Sequence, residues 1–262
     1  MRRASSVRHG AGSARGLADL PLNALPLSDL PPGDRLLAGA TLAFGTPLLR
    51  AALLAPRGQA PFRRRTAALA AVWGAGGAAG GQLTAGLWAV RSRRELRERV
   101  LAPVATAAGA VAVFGVGAAL VSRVPLLREE IDTVLAHATR GSTVQAAALA
   151  LVTGAGEELF FRGTLHDVAE RAGLSPLAAT TTVYSVTTCA SGNPLLVLAS
   201  CLLGILTGRE RVRTGSLLAP TLVHLGWSLG MIAVLPRITA RARAQRPARV
   251  RAHHPSDVEE AP

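Results

Sequence analysis

The chain has 262 residues, 49% of them hydrophobic and only 3% aromatic, with a formal net charge of +13. Its positive mean hydropathy excludes an ordinary soluble domain. Every basic side chain besides histidine is arginine, and the arginines cluster outside the apolar runs without interleaved aromatics. That pattern fits the positive-inside bias and contact with anionic head groups, and it argues against a nucleic-acid partner.

Residues 1–35 are rich in Arg, Ser, Gly and Pro and predict a basic, disordered lead. No cleavable signal peptide is expected, because the basic start runs into a polar, Pro-rich stretch. Leu36–Leu49 predicts a short span whose terminal Arg50 snorkels outward. Thr66–Val90 supplies 25 uncharged residues and Val100–Ser122 supplies 23, where a spanning helix needs about 20. Within the first of these, Gly76 and Gly80, like Gly77 and Gly81, are spaced to let another helix approach closely. Between Arg123 and Arg140, Leu126, Leu127, Ile131, Val134 and Leu135 oppose Arg128, Glu129, Glu130 and Asp132. This predicts an amphipathic helix lying in the interface, with His137 on its surface, and it completes an N-terminal membrane region over 36–140.

Residues 141–236 form the next unit. Gly141–Gly156 is uncharged, as is Ala172–Gly208, and Thr214–Pro236 contains only His224 as a titratable group. Arg91–Arg99 and Arg209–Arg213 predict loops on one face, the cytoplasmic one. Cys189 and Cys201 lie in apolar runs and are expected as small buried hydrophobes. Residues 237–262 predict an Arg-rich disordered tail. The fold class expected is all-α: a polytopic helical membrane protein with about seven or eight membrane segments and a buried Glu/His site, multi-pass in the cell membrane.

The chemistry concentrates in Gly154-Ala155-Gly156-Glu157-Glu158-Leu159-Phe160-Phe161-Arg162-Gly163. A bare carboxylate costs several kcal/mol in a dry interior, so two of them in an apolar run mark a functional site. On a helix, Glu158 and Arg162 are i,i+4 neighbours and can pair, which leaves Glu157, about 100° round the helix, free to act on water. Gly154 and Gly156 would admit a neighbouring helix or a substrate backbone. His224 follows Pro220 within its own apolar run, and Ser228 lies one turn further on.

These residues resemble the CPBP family of intramembrane metalloproteases, also called the Abi or CAAX-protease family. Glu157-Glu158-x-x-x-Arg162 is similar to its first motif, and Arg213-Thr214-Gly215-Ser216-Leu217-Leu218-Ala219-Pro220, leading to His224, is similar to the approach to its last. The resemblance covers roughly Thr143 to Leu235. It implies that Glu157 is the base that activates water and that His224 is a metal ligand or an oxyanion stabiliser. It also implies a divalent metal, zinc being expected, with Glu157 and His224 among its ligands. Two positions depart from the family pattern. Tyr184 stands at the Phe of a Phe-x-x-x-His motif, and Thr188 stands where that motif has His. Ser228 replaces the Asn of the last motif. His166 could substitute for the missing histidine, although a surface position at a helix end is its plainer reading. Asn193 is expected to serve the turn before Pro194.

The function expected is therefore endopeptidase cleavage of a membrane-associated or lipidated protein at the bilayer, through Glu157, Glu158, Arg162 and His224. A catalytically impaired pseudoprotease or membrane scaffold is the alternative, favoured by Thr188 and Ser228. An ion-coupled carrier is more remote, since intramembrane Glu and Arg also mark ion paths but the Glu motif is not repeated in the chain.

Overall fold

The computed structural model describes residues 30–56, 59–121, 124 and 142–244. The N-terminal lead up to residue 29, almost all of the expected amphipathic helix, His137 included, and the tail beyond 244 lie outside the described residues. Among the described residues the regular elements are helices, without strands, and the protein is an all-α polytopic membrane protein. Seven helices carry the fold among the described residues: α1 (Pro32–Leu53), α2 (Ala60–Ala79), α3 (Arg93–Val121), α4 (Thr143–Arg171), α5 (Pro176–Thr188), α6 (Pro194–Thr214) and α7 (Leu218–Ala244). Of these, α1, α3, α4 and α7 are long and apolar enough to cross a membrane.

The helix starts follow local chemistry. Proline occupies the first turn of α1, α2, α5 and α6, where its missing N–H is not needed. Ser92, Ser142, Ser175 and Asn193 cap α3, α4, α5 and α6 by accepting from first-turn amides. The α6 terminus turns on Gly215 at φ 61°, a left-handed conformation that suits glycine.

Several sequence expectations change. The Thr66–Val90 run does not form one helix: α2 takes in the basic residues Arg63–Arg65 and stops at Ala79, and Gly81 at φ 80° turns the chain away. Neither arginine-rich stretch is a loop: Arg93–Arg99 begins α3 and Arg209–Arg213 forms the last turns of α6, which the apolar count alone ended too early. The lead ends sooner than residue 35, because helix begins at Pro32, Leu30 packs on Val168 and Ala172, and Asp34 pairs with Arg171 at 3.1 Å. At the other end α7 passes Pro236 and continues to Ala244, so the boundary expected at 237 falls inside a helix. The cysteines are not buried either. Cys189 is exposed and Cys201 is half-buried.

Helix α7 packs on α3, α4 and α6, while α4 packs also on α2, and α2 on α1. The core between α1, α2, α4 and α5 is aromatic. Trp73 stacks on Phe160 with ring centroids 5.3 Å apart, and Phe161 meets Tyr184 at 4.9 Å. Glycines bring the backbones together. A Cβ on Gly77 would fall 2.5 Å from the Leu159 Cβ, and one on Gly80 would overlap Thr164 Oγ1. The Thr164 hydroxyl uses this proximity to donate to the Gly76 carbonyl at 3.0 Å. Gly81 does not join that seam, since its place is the turn.

Gly77→Ala is therefore expected to lower stability by about 1–3 kcal/mol, the usual cost of overpacking. Gly74→Ala, whose new Cβ meets nothing within 4 Å on the same helix, should leave it nearly unchanged. Thermal unfolding of the two detergent-solubilised variants against the parent checks this.

Candidate active site

Helix α4 changes its winding at the motif. Thr143–Glu157 is α-helical, Glu158–Thr164 adopts π-type turns, and Leu165–Arg171 returns to α. Such insertions are rare in general and frequent at functional sites. Here the wider turn buries Glu158, Phe160, Phe161, Arg162, Gly163 and Thr164 together, while Glu157 at its start stays in the wall of a cavity.

Glu158 and Arg162 are both completely buried, with Arg162 Nη1 donating to Glu158 Oε1 at 3.3 Å. The same Oε1 lies 2.7 Å from His224 Nδ1 on α7. A carboxylate can only accept, so with Glu158 ionised the shared proton sits on Nδ1 and Nε2 is the free nitrogen. That nitrogen lies 3.9 Å from Glu157 Oε2. The Tyr184 hydroxyl donates to the same Glu157 oxygen at 2.8 Å. Arg162 completes the cluster by placing its guanidinium carbon 4.7 Å from the centroid of the Tyr184 ring. Its Nε and Nη2 have no hydrogen-bond partner among the described residues, so the ring face is a compensating contact for the buried cation.

Glu157, Tyr184, His224 and Ser228 line a cavity of about 310 Å³, whose other walls include Leu49, Leu53, Phe62, Trp227 and Met231. Gly154 keeps it open, because a Cβ there would come within 3.3 Å of the His224 ring. Gly156 instead faces α2, near the Ala70 carbonyl. The arrangement joins a carboxylate in the cavity wall and a buried imidazole to a wholly buried carboxylate–guanidinium pair.

The structure thus brings together Glu157, Glu158, Arg162, Tyr184, His224 and Ser228. Thr188 is not in the cavity wall, and its hydroxyl donates to the Tyr184 carbonyl one turn back at 2.9 Å. Asn193 accepts from the Leu195 and Leu196 amides as the α6 cap. His166 is neither at the surface nor at the site. The segment after the π-type turns packs on α5, and the ring is buried beside Asp167, with Nδ1 3.5 Å from Oδ1.

A catalytic zinc site uses three protein ligands and keeps a fourth position open. The cavity offers two ligand atoms, Glu157 Oε2 and His224 Nε2, and the first already accepts from Tyr184. Thr188, at the position where a third would stand, is turned to the backbone. Among the described residues, the lining of this cavity does not fit a zinc site.

Sequence reasoning missed Arg211. It is buried, and its Nε donates to the Arg162 carbonyl at 2.9 Å. Nothing in the run Arg209-Glu210-Arg211-Val212-Arg213 distinguishes it from its neighbours, because helical phase there was hidden by the reading of a loop.

The family described as type II CAAX prenyl endopeptidase Rce1-like matches residues 139–230. The matched segment runs from just before α4 into α7 and contains every residue on which the CPBP resemblance rests, consistent with that family. No curated protein and no solved structure matches the chain. The similarity suggests a protease that resides in a membrane.

Removing one partner of a buried charge pair leaves the other uncompensated, at a cost of about 3–5 kcal/mol. Arg162→Met should therefore lower the thermal midpoint and the folded yield as well as any activity. Thr188→Val, which loses only a hydroxyl bonded to its own helix, should stay close to the parent in the same melt.

Proposed function

We propose that this protein is an endopeptidase of the cell membrane that hydrolyses a peptide bond in a membrane-associated or lipidated protein. The observation that carries the reading is the approach of Glu157 Oε2 to His224 Nε2 at 3.9 Å across a cavity wall, with a buried acid behind the imidazole. A water molecule placed between these atoms lies within hydrogen-bond reach of both. Glu157 takes its proton as the hydroxide adds to the scissile carbonyl carbon. The Tyr184 hydroxyl holds the Glu157 carboxylate in place during this step. With its Nδ1 proton held by Glu158, His224 accepts from the same water at Nε2 and orients it, while the Ser228 hydroxyl offers a donor to the oxygen on which charge develops. Collapse of the tetrahedral adduct breaks the C–N bond, and the proton held by Glu157 leaves with the amine.

Support for a lipid-bearing substrate comes from a second cavity of about 260 Å³ between α3, α6 and α7. It is lined only by apolar side chains, Trp227 among them, and shares Leu196, Trp227, Met231 and Leu235 with the first. An alkyl chain lodged there would reach the wall of the catalytic cavity.

A scaffold of the same fold that binds without cleaving is favoured by one observation: the Thr188 hydroxyl is committed to a backbone carbonyl and offers the cavity nothing. Thr188→His discriminates the two, since cleavage that appears only in that variant establishes the scaffold.

Glu157→Gln is expected to reduce cleavage by about a hundredfold or more, the range for loss of a general base, at unchanged membrane level. Profiling of protein N-termini in cells expressing parent and variant reads this directly: N-termini unique to the parent name the substrate, and identical profiles refute the reading. Because two ligand atoms do not make a zinc site, incubation with a strong chelator should leave the rate within about twofold of the untreated enzyme. A loss restored by added zinc would overturn the metal-free step.

A further inference from the structure

We infer that Arg211 is a positioning residue that holds the two halves of the Glu/His site in register, a claim that rests on the endopeptidase reading. The two halves sit on different helices. Glu157 and Glu158 lie at the start of the π-type turns of α4, and His224 lies on α7, which begins at Leu218. Their contact, Glu158 Oε1 to His224 Nδ1 at 2.7 Å, is sensitive to any sliding of one helix on the other.

Arg211 bridges the two from a third helix, through all three of its nitrogens. Nε donates to the Arg162 carbonyl inside the π-type turns. Nη1 donates to the carbonyl of Gly215, the residue that ends α6 and turns the chain toward α7. Nη2 reaches Asp167 Oδ1 at 3.4 Å, one turn beyond the altered winding. Asp167 is itself held from the other side, since Gln82 Nε2 donates to its Oδ2 at 2.8 Å. The segment after Gly215 is pinned as well: Ser216 Oγ and the Leu217 amide both donate to the Leu87 carbonyl. The π-type turns and the start of α7 therefore share one rigid anchor.

The charge and geometry of arginine are both used. Asp167 neutralises the buried cation, and the planar fork sends donors in three fixed directions, which a lysine cannot do. Arg213, two residues on, differs in kind. It is half-exposed, pairs with Glu210 and donates to the Glu98 carbonyl, away from the cavity. Misplacement of reacting groups by about an ångström can cost up to a hundredfold in rate. The anchor is therefore a rate-determining feature of the site and not only a contribution to folding.

The test compares parent, Arg211→Lys and Arg213→Lys as purified full-length protein labelled with ¹⁵N-histidine. The signal of the carboxylate-bonded His224 Nδ1 is identified by its absence in His224→Gln. Arg211→Lys is expected to lose or split that signal and to lower kcat roughly tenfold with KM within about twofold, while Arg213→Lys changes neither. Arg211→Gln, which keeps a donor without the charge, replaces the lysine variant if its melt shows that it does not fold. An unchanged signal in the folded Arg211 variants overturns the inference, as does a lost signal with an unchanged kcat. If the parent itself cleaves nothing, the endopeptidase reading falls, while the His224 signal still decides whether Arg211 holds the pair together.

Discussion

The structure depends on a single interaction, the contact of one buried carboxylate with an arginine of its own helix and a histidine of another. Glu158 and Arg162 have no solvent exposure. A charge so placed is tolerated only if its partners are close and fixed. The Arg162 guanidinium comes from the same helix, one turn on, but the imidazole of His224 must be delivered by α7. Burial of the acid therefore dictates that α4 and α7 lie side by side, and the remaining helices arrange themselves around that pair.

Two devices make the approach possible. The first is the set of small residues at the seams. Gly76, Gly77 and Gly80 bring α2 against the π-type turns, and Gly154 leaves room for the imidazole. The second is the altered winding over Glu158–Thr164, which places both phenylalanines, the arginine and the second glutamate in the interior together. Such a turn is costly by itself. It is held by groups from outside the helix: the Arg211 guanidinium on the Arg162 carbonyl, Gly80 against Thr164, and the Thr164 hydroxyl on the Gly76 carbonyl.

On the endopeptidase reading proposed above, the chemistry follows from the difference between two adjacent glutamates. One is sealed behind the imidazole, where its negative charge can only orient and stabilise. The other faces a cavity of about 310 Å³ and keeps access to water. Neighbouring residues of one type thus take separate roles because one side chain enters the core and the next does not. Tyr184 links the two environments. Its ring lies under the Arg162 guanidinium and its hydroxyl bonds to Glu157.

Much of this was legible in the chain itself. Apolar runs of membrane length between arginine clusters state a helical membrane protein, because a spanning segment must satisfy its own backbone. Glu157-Glu158-x-x-x-Arg162 marks a candidate site, because unpaired carboxylates are not kept in such runs, and the spacing states the Glu158–Arg162 pair. The sequence could not show that α2 stops at Ala79, since no charge marks the end and only the turn at Gly81 does. Nor could it separate Arg211 from Arg209 and Arg213. Those three are equivalent as charges along the chain, and only the rotation of α6 against the π-type turns turns one of them inward. The bond from Tyr184 to Glu157 spans 27 residues and two helices. Residue types and local spacing decide which groups must be buried or paired, whereas the identity of a distant partner depends on helix phase and register, which exist only once the helices have packed.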